Sequence, residues 1–115
     1  MNGQNKMNFD EYKQLAMRTK KDGDFSFDIT HSVYGLTGEV GEFADCIKRW
    51  QIYGNELDRE NAREEIGDIL WFVALAANAL GCSLDELAQE NIRKLARRYP
   101  EKYLDELANA RLDKS

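Results

Sequence analysis

The chain has 115 residues, 43% of them hydrophobic and 32% charged, and a net charge of −5. That composition fits one globular domain over residues 1–115, and with no basic block it excludes broad phosphate-backbone binding, so no nucleic-acid partner is expected. Cys46 and Cys82 lie far apart with no CxxC or Cys/His cluster, which excludes a typical zinc site and fits a reducing cytoplasm; no run of 18 apolar residues and no apolar leader in Met1–Met7 predicts neither a membrane span nor a signal peptide.

Met1–Asn8 reads as a loose tail. A first helix is expected over Phe9–Lys20, with Phe9, Tyr12, Leu15 and Ala16 as a short apolar stripe and Gly23 as its stop. Asp22–Asp28 reads as a loop that holds Phe25 and Phe27, which either pack back on the core or wall a ligand pocket. A second helix is expected over Thr30–Tyr53, capped by Asp28 or Thr30. Its seam is Val33, Leu36, Val40, Phe43, Ile47 and Trp50, a heptad-like stripe. Gly35, Gly38 and Gly41 sit inside that helix, each costing about 1 kcal/mol relative to alanine. They mark a close helix crossing, a backbone that a ligand or metal must approach, or both.

Gly54–Asp58 reads as a connector, and Asp58 caps a third helix over Arg59–Leu80. Its seam is Ala62, Ile66, Ile69, Val73, Ala76 and Leu80, widened by Leu70, Trp71, Phe72 and Leu75. A helix apolar around most of its circumference is buried on more than one side, and in so short a chain a second subunit is the expected cover. Gly81 ends it, and Ser83-Leu84-Asp85-Glu86 reads as a capping box for a fourth helix over Leu84–Tyr99. Its seam is Leu84, Leu87, Ala88, Asn91 and Leu95. Asn91 is either a satisfied core amide or a hand reaching a site. Lys94 and Arg98, four apart, either hold phosphate oxygens or serve as ordinary surface charges. Glu101–Asp113 is expected to add a C-terminal helical segment. No strand alternation appears, so the expected architecture is all-α: an oligomeric, antiparallel four-helix bundle with that extra segment.

The chemistry concentrates in two stretches. Gly38-Glu39-Val40-Gly41-Glu42 and Glu64-Glu65-Ile66-Gly67-Asp68 each hold acids three residues apart, Glu39 with Glu42 and Glu65 with Asp68. Such pairs share one helix face. Each of these acids stands one position before an apolar residue, Val40, Phe43, Ile66 or Ile69, so the two pairs share a phase. If the two seams pack together, all four acids flank one groove. Four facing carboxylates repel unless a cation sits between them, and oxygen ligands suit a hard divalent ion, most simply magnesium. Solvated helix acids are the alternative. A di-iron carboxylate site is disfavoured, because it needs Glu-x-x-His on two helices and the chain has one histidine, His31.

The acid pattern, with 22 residues between Glu42 and Glu65, resembles the MazG family of all-α nucleoside triphosphate pyrophosphohydrolases, which has dimeric dUTPases and phosphoribosyl-ATP pyrophosphohydrolases as relatives. Glu64-Glu65-Ile66-Gly67-Asp68-Ile69-Leu70-Trp71 is similar to one of its core blocks. Asn91-Ile92-Arg93-Lys94-Leu95 with Arg98-Tyr99-Pro100 is similar to another. The resemblance covers about residues 9–100 and implies hydrolysis of a (deoxy)nucleoside triphosphate to the monophosphate and pyrophosphate. It implies that Glu39, Glu42, Glu65 and Asp68 hold magnesium, with manganese as a substitute. The chemistry then asks a carboxylate, Glu39 or Glu42, to take the proton of the attacking water. The resemblance implies phosphate contacts from Lys94 and Arg98, and a place near the nucleotide for Asn91. His31, near the start of the second helix, either contacts the base or has no role. Short members of this kind occur in bacteria and phages, so a bacterial or phage-infected host cytoplasm is expected, with a homodimer or homotetramer as the assembly. The alternatives are phosphoribosyl-ATP as substrate, or a non-catalytic helical oligomer that binds a nucleotide or a protein partner.

Overall fold

The computed structural model describes residues 6–100. The C-terminal segment expected over residues 101–113 lies outside them. The described residues form four α-helices and no strand: α1 (Phe9–Ala16), α2 (Phe25–Gln51), α3 (Arg59–Leu80) and α4 (Leu84–Arg98), with a 3-10 turn at Met17–Thr19. No single helix among them is long and apolar enough to cross a membrane.

Each helix start is fixed by a side chain. Asn8 caps α1 through a full capping box: its Oδ1 accepts from the Glu11 N–H at 2.7 Å, and its own N–H donates to Glu11 Oε1 at 2.9 Å. Asn8 is thus a cap rather than the end of a loose tail. The first helix is shorter than expected. Its last turn tightens at Met17–Thr19, where the Thr19 hydroxyl donates to the Ala16 carbonyl at 2.7 Å. Asp58 and Ser83 cap α3 and α4 as expected, accepting from the N–H groups of Asn61 and Glu86. Gly81 ends α3 in the left-handed region at φ 72°.

The second helix begins five residues before its expected start. Asp24 is its cap and accepts from the Phe27 N–H at 2.9 Å. Asp28, one of two expected caps, is instead buried and paired to Lys20, whose Nζ lies 3.1 Å from Oδ2 and also donates to the Lys21 carbonyl at 2.9 Å. Phe25 and Phe27 therefore belong to the first turn of α2 and not to a loop.

The α2–α3 pair is the spine of the fold and runs antiparallel. Gly35 lies against Phe72, Glu39 beside Glu65, and the Cys46 thiol points at the Asp58 carbonyl at 3.6 Å. The crossing line passes through Ser32, Gly35, Glu39 and Cys46, with part of the expected seams beside it, where Phe43 and Ile47 line one groove with Ala62 and Ile66. Val33, Val40, Ile66 and Leu80 from those seams are half or more exposed. The antiparallel bundle holds only for this pair, because α4 leaves α3 at a bend of 101°. That turn is fixed from α1. Asp10 accepts from the Ser83 hydroxyl at 2.6 Å and from the Leu84 N–H at 2.8 Å. The Phe9 N–H donates to Asp85 Oδ1 at 3.2 Å, and Lys13 Nζ donates to the Cys82 carbonyl at 2.9 Å. The Ser83 hydroxyl holds the Asp10 carboxyl below its usual range, with the Leu84 N–H adding to the effect.

The three internal glycines of α2 do different things. A Cβ at Gly35 would collide with the Phe72 ring, which is itself boxed by His31 and Trp71, with ring centroids 5.4 and 5.0 Å away. Gly38 and Gly41 face open space. Gly35→Ala is expected to destabilise the protein by roughly 1–3 kcal/mol through overpacking. Gly38→Ala should stabilise an isolated chain by up to about 1 kcal/mol through helix propensity. Urea unfolding of both variants checks this, and a loss at Gly38 equal to that at Gly35 would contradict the assignment.

Candidate metal centre

The crossing of α2 over α3 brings Glu39, Glu42 and Glu65 together. One carboxylate oxygen from each lies within 4.8 Å of the others. Spacing places Glu39 and Glu42 on one face of α2, one turn apart, and Gly35 lets α3 approach that face closely. Glu39 and Glu65 are half-buried, and an Oε1 atom of each is shielded from solvent without a hydrogen-bond partner. Glu42 is exposed at the mouth. A buried carboxylate oxygen without a partner is costly, and native folds rarely leave one so. Burial, followed by the neighbouring Glu39 carboxyl and the charge of Asp68, pushes the Glu65 carboxyl above the usual glutamate range.

This donor set fits a hard divalent cation. All ligands are carboxylate oxygens, and two of them need a positive partner. Opposite ligands of one octahedral magnesium lie about 4.2 Å apart, given metal–oxygen distances of about 2.1 Å. At most one pair among three ligands can be opposite and the other pairs are about 3.0 Å apart, so the glutamates would draw together around a bound ion.

The other expected site residues are spread more widely. Asp68 stands one turn of α3 beyond Glu65, outside the triad; its charge acts on Glu65 and on Tyr12 of α1. Burial, then Asp68, raises the Tyr12 phenol above its ordinary value. His31 sits in an aromatic cluster, with ring centroids 5.7 Å from Phe27, 6.3 Å from Trp71 and 5.4 Å from Phe72. It lies eight residues before Glu39, or about 12 Å along α2. Trp50 lies eleven residues past Glu39, so it flanks the acids from the opposite end. Asn91 is exposed on α4, and Lys94 and Arg98 are half-buried there. No hydrogen bond or ion pair among the described residues joins Asn91 or Lys94 to the glutamates. Tyr12, Trp71 and Phe72 enter the surroundings of the site without having been singled out for it. Trp71 and Phe72 carried an aromatic signal in the third helix, whereas Tyr12 reaches Asp68 only because α1 folds back on α3.

The raised Glu65 carboxyl has a sign that can be measured. An acid with a higher pKa in the folded state penalises folding once it must ionise. The penalty is absent below the ordinary glutamate value of 4.5 and grows as pH rises through the folded value. Glu65→Gln should therefore raise the melting temperature of metal-free protein at pH 7, and the gain should vanish near pH 4. Added magnesium should stabilise the parent protein and not the variant. Thermal melts across pH, with and without the ion, test both; an unchanged magnesium response would remove Glu65 from the site.

The chain is 33% identical over 75 residues to the gene 37 protein of Mycobacterium phage L5, a match covering 61% of this chain and 65% of that relative, so the chain spans just under two thirds of it. No solved structure matches the chain. A profile described as the MazG nucleotide pyrophosphohydrolase domain matches residues 18–103, a span holding both acid stretches and all of α2, α3 and α4. With that profile over most of its length, the chain belongs to the MazG nucleotide pyrophosphohydrolase domain family.

Proposed function

We propose that this protein hydrolyses (deoxy)nucleoside triphosphates between the α and β phosphates, yielding the monophosphate and pyrophosphate. The supporting observation is the triad of Glu39, Glu42 and Glu65, two of whose oxygens are shielded and unpartnered. A purely structural helix pair would be more stable without them. Glu39, Glu42 and Glu65, with Asp68 one turn away, would hold magnesium or manganese. The ion would neutralise phosphate charge and polarise the α-phosphorus.

The chain supplies the rest. A water attacks the α-phosphorus, the bond to the bridging oxygen breaks, and pyrophosphate leaves. A carboxylate takes the proton from that water. Of the two candidates we assign this role to Glu39, which is half-buried with a shielded, unpartnered oxygen, whereas Glu42 is exposed at the mouth. His31 and its ring neighbours stand beside the site on the side away from Trp50, where a base can stack. Lys94 and Arg98 bind phosphate oxygens, as planar or point cations do. Asn91 lies on the same helix.

The assembly we propose is a homo-oligomer. Val33, Val40, Ile66 and Leu80 are each at least half exposed on the helix pair. Burying such a side chain contributes roughly 1.5–3 kcal/mol, so a second copy covering them would be strongly favoured.

Incubation with each deoxy- and ribonucleoside triphosphate and magnesium, followed by chromatography, should show monophosphate and pyrophosphate. Glu39→Gln should lower the rate by about 100-fold or more. Diphosphate with free phosphate would contradict the proposed bond cleavage. Full activity in both Glu39→Gln and Glu65→Gln would contradict the site.

A further inference from the structure

Helical phase puts more than the glutamates on the open side of α2. His31, Gly35, Gly38, Glu42, Asp45 and Arg49 follow one another four or three residues apart and so form one row along the helix. Glu42 marks the mouth of the triad within that row. His31 and its ring neighbours occupy the end near the start of α2, about 16 Å before Glu42. Between them, Gly38 leaves open space where a side chain would stand. Arg49 closes the row at its other end.

Arg49 is aimed along the row toward the glutamates. Side chains lean toward the start of their helix, and Arg49 Nη1 lies 2.9 Å from Asp45 Oδ2, one turn earlier. The guanidinium therefore stands at the level of Asp45, about 4.5 Å of helix rise from Glu42, and not at the roughly 10 Å that separates the two backbones. Asp45 also pairs with Lys48 at 3.4 Å, so one acid holds two cations and the group carries an excess positive charge. Of the Arg49 N–H donors, those of Nη1 meet Asp45, which leaves the rest of the fork for an incoming anion. The other cations of the helix pair are placed differently. Lys48 stands about 120° round α2 from Glu42. Arg59 and Arg63 line a groove with Phe43 and Ile47, which point about 100° or more round the other way.

We infer that Arg49 binds the β and γ phosphates of the substrate, with the nucleotide laid along α2: base at the His31 rings, α phosphate at the glutamates, leaving pyrophosphate at Arg49. This rests on the proposed triphosphate hydrolysis and gives the substrate a direction in that site. As the bond from the α-phosphorus to the bridging oxygen breaks, that oxygen keeps the electron pair and negative charge gathers on the pyrophosphate. A guanidinium at that end meets the charge with a planar pair of N–H donors. Asp45 is a positioning residue: it draws Arg49 toward the glutamates and retains Lys48 as its partner when Arg49 turns to phosphate.

Inorganic pyrophosphate is the probe that tests it. In calorimetric titrations with magnesium present, Arg49→Ala should bind pyrophosphate about 10-fold or more weakly than wild type. Its affinity for the nucleoside monophosphate product should stay within about two-fold. Arg49→Lys keeps the charge but not the fork and should fall between Arg49→Ala and wild type. Lys48→Ala removes the same charge, and the other cation on Asp45, from a different face; it should bind pyrophosphate within about two-fold of wild type. The KM for the triphosphate should rise in Arg49→Ala and not in Lys48→Ala. Equal losses in Arg49→Ala and Lys48→Ala would overturn the inference, because net charge alone would then account for them. So would unchanged pyrophosphate binding in Arg49→Ala, or a wild type that cleaves triphosphates and binds no pyrophosphate. A wild type that cleaves no triphosphate would instead remove the hydrolysis reading, and this inference with it.

Discussion

The carboxylates at the α2–α3 crossing are the constraint on which the rest of this fold depends. An antiparallel helix pair ordinarily fills its line of contact with aliphatic side chains, yet here Glu39 and Glu65 occupy it and shield oxygens that have no partner. Such groups repel one another and lose solvation, so the pair does not gain stability from them. It is held closed elsewhere. Gly35 admits the Phe72 ring, the Cys46 thiol meets the Asp58 carbonyl, and the indole N–H of Trp71 donates to the Ala16 carbonyl at 3.2 Å and to Thr19 Oγ1 at 3.0 Å. The part-buried Lys20–Asp28 pair fastens the start of α2 to the segment before it. These contacts set the separation of the helices, and the acids are presented at that separation.

The elements were legible wherever the signal was local. Asp58 and Gly81 bracket α3, and Ser83 opens α4, as the cap and stop rules require. The start of α2 was not legible, because Asp24 and Asp28 are both plausible caps and only the pairing of Asp28 with Lys20 decides between them. The Asn8-x-x-Glu11 box was written in the sequence and outweighed by the polar tail around it. The acids' shared phase was readable too, since it depends only on spacing within each helix. The partner of each seam was not. Leu36, Phe43, Ile47, Ile69 and Val73 are half-buried, whereas Val33, Val40 and Ile66 stay exposed, because the helices cross on the line of small and acidic residues. The direction of α4 was least legible of all, resting on Asp10, 74 residues from the N–H it binds.

The core that results is thin. Among the described residues only Ala16, Cys46, Ala74, Leu75, Ala77 and Leu84 form its buried apolar part, and Leu75 is its largest fully buried side chain. Small domains are marginal even when their apolar surface is well covered. An exposed apolar surface of this extent is what the proposed second copy would cover. At Gly38 and Gly41, two residues that weaken the helix leave its backbone bare of any other described residue.

The short first helix then takes on a role that its length does not suggest. It contributes none of the clustered glutamates, yet it touches both regions that the chemistry would use. Tyr12 lies near enough to Asp68 to feel its charge, and Ala16 receives the Trp71 indole, so α1 is fixed to the acid-bearing half of α3. At its other end Asp10 accepts from Ser83 and Leu84 and so sets the direction of α4. The orientation of the cationic helix relative to the acids is therefore transmitted through one eight-residue element. Losing the Asp10 contacts would leave the α2–α3 crossing intact and free the α3–α4 corner, which separates the integrity of the acid cluster from the placement of Lys94. The arrangement gives the fold two rigid parts and one strut between them, and the strut determines where the second part can be presented.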